Sequence, residues 1–594
     1  MTGGNEYDAL ASMTPSSKDV VATVPKSGTP ERSSAPPPTA PADAGAGPAA
    51  PPARDGRTSA RRLLAAAATV LAVALLFVAY LQMSRTYPEN SDESNDLLMA
   101  WDMLHGNLLL HGWYLSDVSF ITTELPQYMM LERLFGLHAD TAHIAAAMTY
   151  TLVVILAVLL ARGTVPGREA RPRMLLTAGL MFAPQLGVGV FILLLSLGHI
   201  GTAVPLLLIW LMIDWGDRLR PRALVPVIVG LLLTWVLVAD PLVLLIGVVP
   251  LVAVCAMRVA RALSLAQRQA GREPGWARAC LRAHSCELSL AVAAVLAQGL
   301  ASVINRLLAA SDGFFLHPVP YQLAPVHTWP KHAWVTGQGL LALFGAKPQG
   351  PAAALAFAVL HLAGVALVAW AVARVARHFV SWPDMISQIL LVAMVLNVVA
   401  YVPSTLADAT ALNAREFAVV LPFGAVLAGR TLAASLVGSK RRWAKPAVLA
   451  GAVGALLAGY AASLGWAAAQ PSVPPMNARL ASFLEAHHLT SGIGGYWESS
   501  VVTVGSDGAV TIRAVFPGTL RPDLWEARSS WYDPGPNRAN FLVTDSAPGF
   551  FNHWQPSPAA LAALGRPVRT YHVGPYTVYV WDKNLLAELG LPVS

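Results

Sequence analysis

The feature that most constrains this chain is a repeated one: stretches of about twenty residues with almost no charge, beginning with Leu63–Met83. About twenty apolar residues in helical form span the hydrocarbon of a bilayer. Further stretches follow at about 142–161, 174–196, 200–214, 223–239, 241–257, 286–305, 352–373, 385–402, 417–437 and 446–467, about eleven in all. Those at 200–214 and 223–239 are short. Composition excludes the soluble alternative for a chain of 594 residues. Hydrophobic residues make up 55% and charged residues 13%, with a mean hydropathy of +0.51, whereas soluble chains carry about 25% charge. Three or four globular domains could not be coated with so little charge. The predicted fold is therefore a polytopic α-helical membrane protein.

The placement of Lys and Arg gives the orientation. With the N-terminus inside, inner loops hold Arg162, Arg168, Arg171 and Arg173, then Arg218, Arg220 and Arg222, then six arginines from Arg258 to Arg282. Arg374, Arg377, Lys440, Arg441, Arg442 and Lys445 complete the set. Outer loops hold Arg85, Arg133, Arg306, Lys331, Lys347 and Arg415. This is the asymmetry of the positive-inside rule, and it alternates at every crossing. It predicts a multi-pass plasma-membrane protein with a cytoplasmic N-terminus. It also accounts for the net charge of +7 and pI near 9.4, so nucleic-acid binding has no support.

Residues 1–60 are rich in Pro, Ala, Ser and Thr and are expected to form a disordered cytoplasmic tail. The transmembrane part is placed at 61–469, with a long first outer loop at 84–141. An odd number of spans puts 470–594 outside the cell. That segment has ordinary polarity, a helical pattern at Asn477–His488 and alternating apolar runs at Val510–Val515, Phe541–Thr544 and Tyr576–Trp581. Gly574-Pro575 reads as a turn between two strands, so a small extracytoplasmic α/β domain is predicted. Cys255, Cys280 and Cys286 offer no disulfide framework and no zinc-ligand spacing. A phosphate-binding Gly-rich loop, an HExxH motif and a nucleophile elbow are all missing from the sequence.

The first outer loop is the most informative stretch. It opens with Glu89, Asp92, Glu93 and Asp96, followed by Asp102. From Ser94 to Leu110 the pattern predicts an amphipathic helix on the membrane, with Asp92, Asp96 and Asp102 on the polar side. Leu97, Leu98, Trp101, Leu104 and Leu108 then face lipid or protein. The order Ser91-Asp92-Glu93, Ala100, Gly106 and Glu124-Leu125-Pro126 resembles the membrane-embedded GT-C glycosyltransferases, the class of protein O-mannosyltransferases and aminoarabinose transferases. In those enzymes an Asp, often as Asp-Glu, follows the first transmembrane helix. A surface helix and a Pro-containing stretch come next. Gln127 stands where the family carries a second Pro.

The resemblance implies sugar transfer from a polyprenyl-phosphate donor at the outer face, with Asp92 as the base and Glu93 and Glu124 as its rivals. One carboxylate is chemically sufficient. Glycoside hydrolysis needs an acid as well as a base, because an alkoxide must leave. A phosphate leaves without a proton, so a base for the acceptor hydroxyl and cations near the phosphate suffice. The bland alternative is that these carboxylates are the solvated face of a loop. Lys331 and His332, in a basic and aromatic outer loop, and Arg415 are the candidates for the donor phosphate; His199 is the candidate cavity-lining histidine. Each has a structural alternative: interfacial anchoring for Lys331, an ion pair with Glu416 or Asp408 for Arg415, and a hydrogen-bonded structural role for His199. Asp240-Pro241 reads as a helix-breaking turn. Trp497, Trp525, Trp531, Trp554 and Trp581 are either sugar-stacking or core residues.

The expected partners are a polyprenyl-phosphate sugar donor, membrane lipids and a cell-envelope acceptor: a glycan, lipid or protein. No metal ligands are identified, and the resemblance leaves room for a divalent cation. The Ala-rich, Arg-over-Lys composition fits a GC-rich bacterial genome. Two rivals stand beside the glycosyltransferase: a transporter or flippase, and a noncatalytic scaffold of envelope synthesis. The transporter would call for repeats and broken helices meeting at the bilayer midplane, and no convincing repeat is seen.

Overall fold

The computed structural model describes residues 56–195, 199–218, 221–270, 275–318, 322–407, 411–438, 446–548 and 554–589. The tail expected to be disordered lies outside the described residues up to residue 55, as do Asp408 and the Lys440–Lys445 cluster. The chain divides into a first unit, Met1–Ala65, and a second, Ala66–Ser594. The first is described only from Gly56, as the opening turns of a helix; the second carries the rest of the fold.

Among the described residues, six helices are long and apolar enough to cross a membrane, and a bent pair, Ala411–Phe417 with Val420–Ala433, would make a seventh. Three shorter apolar helices, Ala203–Asp214, Leu224–Ala239 and Met385–Tyr401, lie among them. Their outward faces are bare hydrocarbon. Val70, Leu71 and Leu75 are 60–69% exposed, as are Val292, Val295 and Leu296 at 57–66%. Contiguous apolar surface of this kind is costly in water and costs nothing against lipid tails. The inward faces are closely filled, with Tyr150, Trp210, Phe417 and Phe423 fully buried. The stretch at 174–196, read as one span, is broken into Gly167–Leu180 and Val188–Leu194. Pro184, which has no N–H to donate, and Gly187, at φ +76°, occupy the break.

Four helices lead to the site: α1 (Gly56–Ser84), α2 (Ser91–Leu104), α3 (Glu124–Phe135) and α4 (Asp140–Arg162). The sequence placed a surface helix at 94–110 with a solvated polar side. Instead, α2 starts at Ser91 and ends at Leu104, leaving Leu108 in a turn. It packs against α3 and against the helix Tyr496–Gly505, so Ser91 and all of Glu93–Ala100 are buried. A helix covered on two sides has no solvated stripe, and its polar residues are turned inward.

Eight short strands follow: β1 (Trp113–Leu115), β2 (Phe315–Leu316), β3 (Ser491–Gly494), β4 (Thr511–Ala514), β5 (Ala527–Arg528), β6 (Phe541–Asp545), β7 (Arg569–Val573) and β8 (Tyr576–Val580). Five of them form a sheet in the order β4-β3-β6-β8-β7. β3 is parallel to β4 and β6, and β8 is antiparallel to β6 and β7. Gly574-Pro575 makes the β7–β8 turn, with Gly574 at φ +61°. The helix Ala478–Ala486 and the helix Tyr496–Gly505 supply Leu480, Leu484, Val501 and Val502 to the core of this α/β region, against Phe541, Val543 and Val578. A second sheet joins distant parts of the chain. β1, from the loop after α1, pairs in parallel with β2 and antiparallel with β5.

Candidate active site

The chain enters α2 through a capping box. Asn90 is the N-cap, and its side chain accepts from the backbone N–H of Asp92 at 2.8 Å. Glu93 closes the box by accepting from the backbone N–H of Asn90 at 2.9 Å. The box divides the labour between the two adjacent acids. The Glu93 carboxyl is buried and spent on the helix end, and burial, then the Asp92 charge, hold it well above the usual carboxylate range. Asp92, next to it, faces a cavity of about 320 Å³.

Asp92 is held from two sides. Arg415 Nη1 lies 3.3 Å from Oδ2, and the Tyr496 hydroxyl lies 2.8 Å from Oδ1. Arg415 comes from the bent pair of helices and Tyr496 from the first turn of the α/β helix, so Asp92 sits where both parts meet α2. Ser91 Oγ fixes that meeting by donating to the carbonyl of Tyr496 at 2.6 Å. The Tyr496 hydroxyl is also 2.7 Å from Glu526 Oε2, and Asn95 Nδ2 donates to both, at 3.0 and 3.3 Å. Burial, then Asp92, pushes the Glu526 carboxyl up to about 7.

His199 lines the same cavity. Its Nδ1 is 2.7 Å from Asp240 Oδ2 and its Nε2 is 3.0 Å from Glu416 Oε2. Burial alone would lower its pKa, but the two carboxylates carry it well above the ordinary histidine range. Thr202 and the backbone N–H of Leu242 hold Asp240 at 2.5 and 2.9 Å. Asp240 also ends the helix Leu224–Ala239, the helix-breaking turn expected at Asp240-Pro241. The cavity thus carries the Arg415 guanidinium and the His199 imidazole among the carboxyl groups of Asp92, Asp96, Asp117, Glu416 and Glu526. Aromatic wall is supplied by Phe120, Trp497 and Trp525.

Of the residues singled out from sequence, Asp92, Arg415 and His199 come together here. Glu124 lies behind them, buried, with neither carboxylate oxygen hydrogen-bonded and with Oε1 where a Cβ on Gly201 would be. Burial raises it to about 7. Lys331 and His332 do not line the cavity. Lys331 is exposed, and His332 Nδ1 is 3.1 Å from the carbonyl of Val402. Asp102 is a tie point: it accepts from Arg528 and Trp113, each at 2.8 Å, and from Asn107 at 2.6 Å. The tryptophans divide. Trp497 and Trp525 line the cavity, Trp531 lies under Arg513 and against Trp113, and Trp581 is core. The sequence reading missed Tyr496 and Glu526 as site residues. Neither stands in a motif, and each acquires a role only through contact with a residue about 400 positions away. Among the described residues no group of three or more His, Cys, Asp or Glu side chains is arranged to hold a metal ion; the Glu526 carboxyl is turned toward Tyr496 and Asn95, and that of Glu93 toward the backbone N–H of Asn90.

No protein-family model and no curated protein sequence matches the chain. Among solved structures it is similar to the aminoarabinose transferase ArnT of Cupriavidus metallidurans, crystallised with undecaprenyl phosphate, at 14% identity and a TM-score of 0.48 over 86% of this chain and 97% of that one. It is also similar to the oligosaccharyltransferase of Archaeoglobus fulgidus. The apo form gives 12% identity and a TM-score of 0.43 over 80% of this chain and 69% of that one. The form tethered to an acceptor peptide gives 12% and 0.44 over the same shares.

Proposed function

We propose that this chain is an integral-membrane glycosyltransferase that moves a sugar from a polyprenyl-phosphate donor to a cell-envelope glycan, lipid or protein. The work is done at the outer face of the plasma membrane, with residues 61–469 as the membrane part, about eleven crossings, and residues 470–594 as an extracytoplasmic domain. The observation that carries this reading is the setting of Asp92: a carboxylate at a cavity wall, 3.3 Å from a guanidinium, with two tryptophans beside it.

In this reading the acceptor hydroxyl gives its proton to Asp92 as its oxygen attacks the anomeric carbon. The bond from that carbon to the phosphate oxygen breaks, and the electron pair leaves on the phosphate. A single displacement with the base opposite the leaving group inverts the anomeric centre. Arg415 supplies positive charge where the phosphate develops its second negative charge, and His199 adds more from the same wall. Trp497 and Trp525 offer faces for the sugar ring. Purified full-length protein, incubated with a panel of polyprenyl-phosphate sugars and an envelope extract as acceptor, tests this. Asp92→Asn should lower transfer by about 10²-fold or more, and equal rates for both proteins would remove Asp92 from the mechanism.

A further inference from the structure

Resting on the reading of Asp92 as the base, we propose that Tyr496 and Glu526 are positioning residues that form a proton relay, setting the basicity of Asp92 and resetting it after each transfer. One hydrogen stands between two carboxyl groups. The Tyr496 hydroxyl is 2.8 Å from Asp92 Oδ1 and 2.7 Å from Glu526 Oε2, and a phenol has a single proton to donate. Both contacts are hydrogen bonds only when one of the two carboxyls is itself protonated. Arg415 stands beside Asp92 and favours its charge. Glu526 is the partner that holds the proton, since burial favours its neutral form.

The backbone supports a dedicated role. Glu526 sits at φ +49°, in the left-handed region that a side chain with a Cβ rarely adopts. Strain of this kind persists where the surroundings impose it. Here they do so directly: the next two residues form β5 on β1, and Arg528 is clamped to Asp102 at 2.8 Å. The groups facing Glu526 are Asp92, Asn95 and Asp96 from α2, Ser116 after β1, Tyr496, and Arg415 from the bent pair. Asp117, His199 and Glu416 share the cavity wall.

The cycle balances. With Glu526 ionised, Tyr496 donates to it, and Asp92 loses a donor and becomes the stronger base. Asp92 takes the acceptor proton as the new C–O bond forms and the bond to phosphate breaks. The neutral Asp92 then passes that proton to the Tyr496 oxygen while Tyr496 gives its own to Glu526. Glu526 releases a proton to water in the cavity, and the net result is transfer from acceptor hydroxyl to solvent.

Infrared difference spectra of the full-length protein, titrated without substrate, read the relay on its own. Subtracting Glu526→Gln from wild type cancels the buried carboxyls that do not interact with Glu526, Glu124 among them. The expected difference is a protonated-carboxyl band lost with a midpoint near pH 7, and Tyr496→Phe, which removes a donor to the ionised form, should move that midpoint upward. A featureless difference, or an unmoved midpoint in Tyr496→Phe, overturns the relay. In transfer assays, kcat should rise with pH through neutrality in wild type and be flat in Glu526→Gln at unchanged donor KM, with Tyr496→Phe slowed about tenfold. A rising profile kept in Glu526→Gln also overturns it. An Asp92→Asn protein as active as wild type would sink the base while leaving the infrared result standing, so the two readings fail separately.

Discussion

Asn90 decides which of two neighbouring acids faces the cavity. Its side chain and that of Glu93 close the end of α2, so Glu93 is occupied and Asp92 is left facing the cavity. Replacing Asn90 with Ala should cost about 1 kcal/mol, the usual worth of an N-cap, and should lower transfer by loosening the first turn under Asp92. Thermal unfolding and rate measured on the same preparation check both. Glu124 gives a second residue-scale test. Its carboxyl is raised to about 7 by burial, so between roughly pH 4.5 and 7 the folded protein holds a proton that the unfolded chain has released. Stability must then fall as pH rises through that window, by up to about 3 kcal/mol. Glu124→Gln should flatten this fall and raise the melting temperature at pH 8; an unchanged pH dependence would show that Glu124 is ionised in the fold. At this scale the sequence was informative wherever a residue carries its meaning locally. Asp92 was legible because it follows an apolar span and opens a helix. Glu526 was not, since a lone Glu among loop residues means nothing until the fold brings Tyr496 and Asp92 to it.

Two short sheets and one broken helix show what local pattern can and cannot reveal about elements. The runs at 510–515 and 576–581 were readable as strands because alternate residues of each are buried in the core, and that at 541–544 because a short apolar stretch is core on both faces. β1, β2 and β5 were unreadable, being two or three residues long and defined only by one another. The break within 174–196 was marked by Pro184 and Gly187, but hydropathy alone passes over both. The extent of α2 was misjudged because its Leu residues suggested a lipid-facing stripe, whereas the helix is covered on both sides. The three-stranded sheet and the Asp102–Arg528 pair tie the loop after α1 to the α/β region. Asp102→Ala leaves Arg528 and Trp113 Nε1 without their acceptor, and should cost about 1–3 kcal/mol. Limited proteolysis should then cut near β5 faster than in wild type, and equal cleavage rates would show that the pair is dispensable.

For the whole molecule, sidedness is the expectation with the most to lose. If the site faces outward, a cysteine placed at the exposed Thr519, with Cys255, Cys280 and Cys286 changed to Ser, should react with a membrane-impermeant maleimide on intact cells. The native Cys286, at the inner end of the span at 286–305 in the proposed topology, should react only after permeabilisation. The reverse pattern would put Asp92 in the cytosol and end the exoplasmic reading. The helical membrane architecture was legible because lipid demands long uncharged helices; the seating of the α/β region on α2 was not, since nothing in either segment alone encodes the other. That seating has an evolutionary consequence. Because Asp92 takes its immediate neighbours from the far end of the polypeptide, the two ends cannot diverge independently. A chimera that exchanges the C-terminal portion for one from a distant homologue would keep its acid and lose the neighbours that govern it, unless residues 90–117 were exchanged along with it.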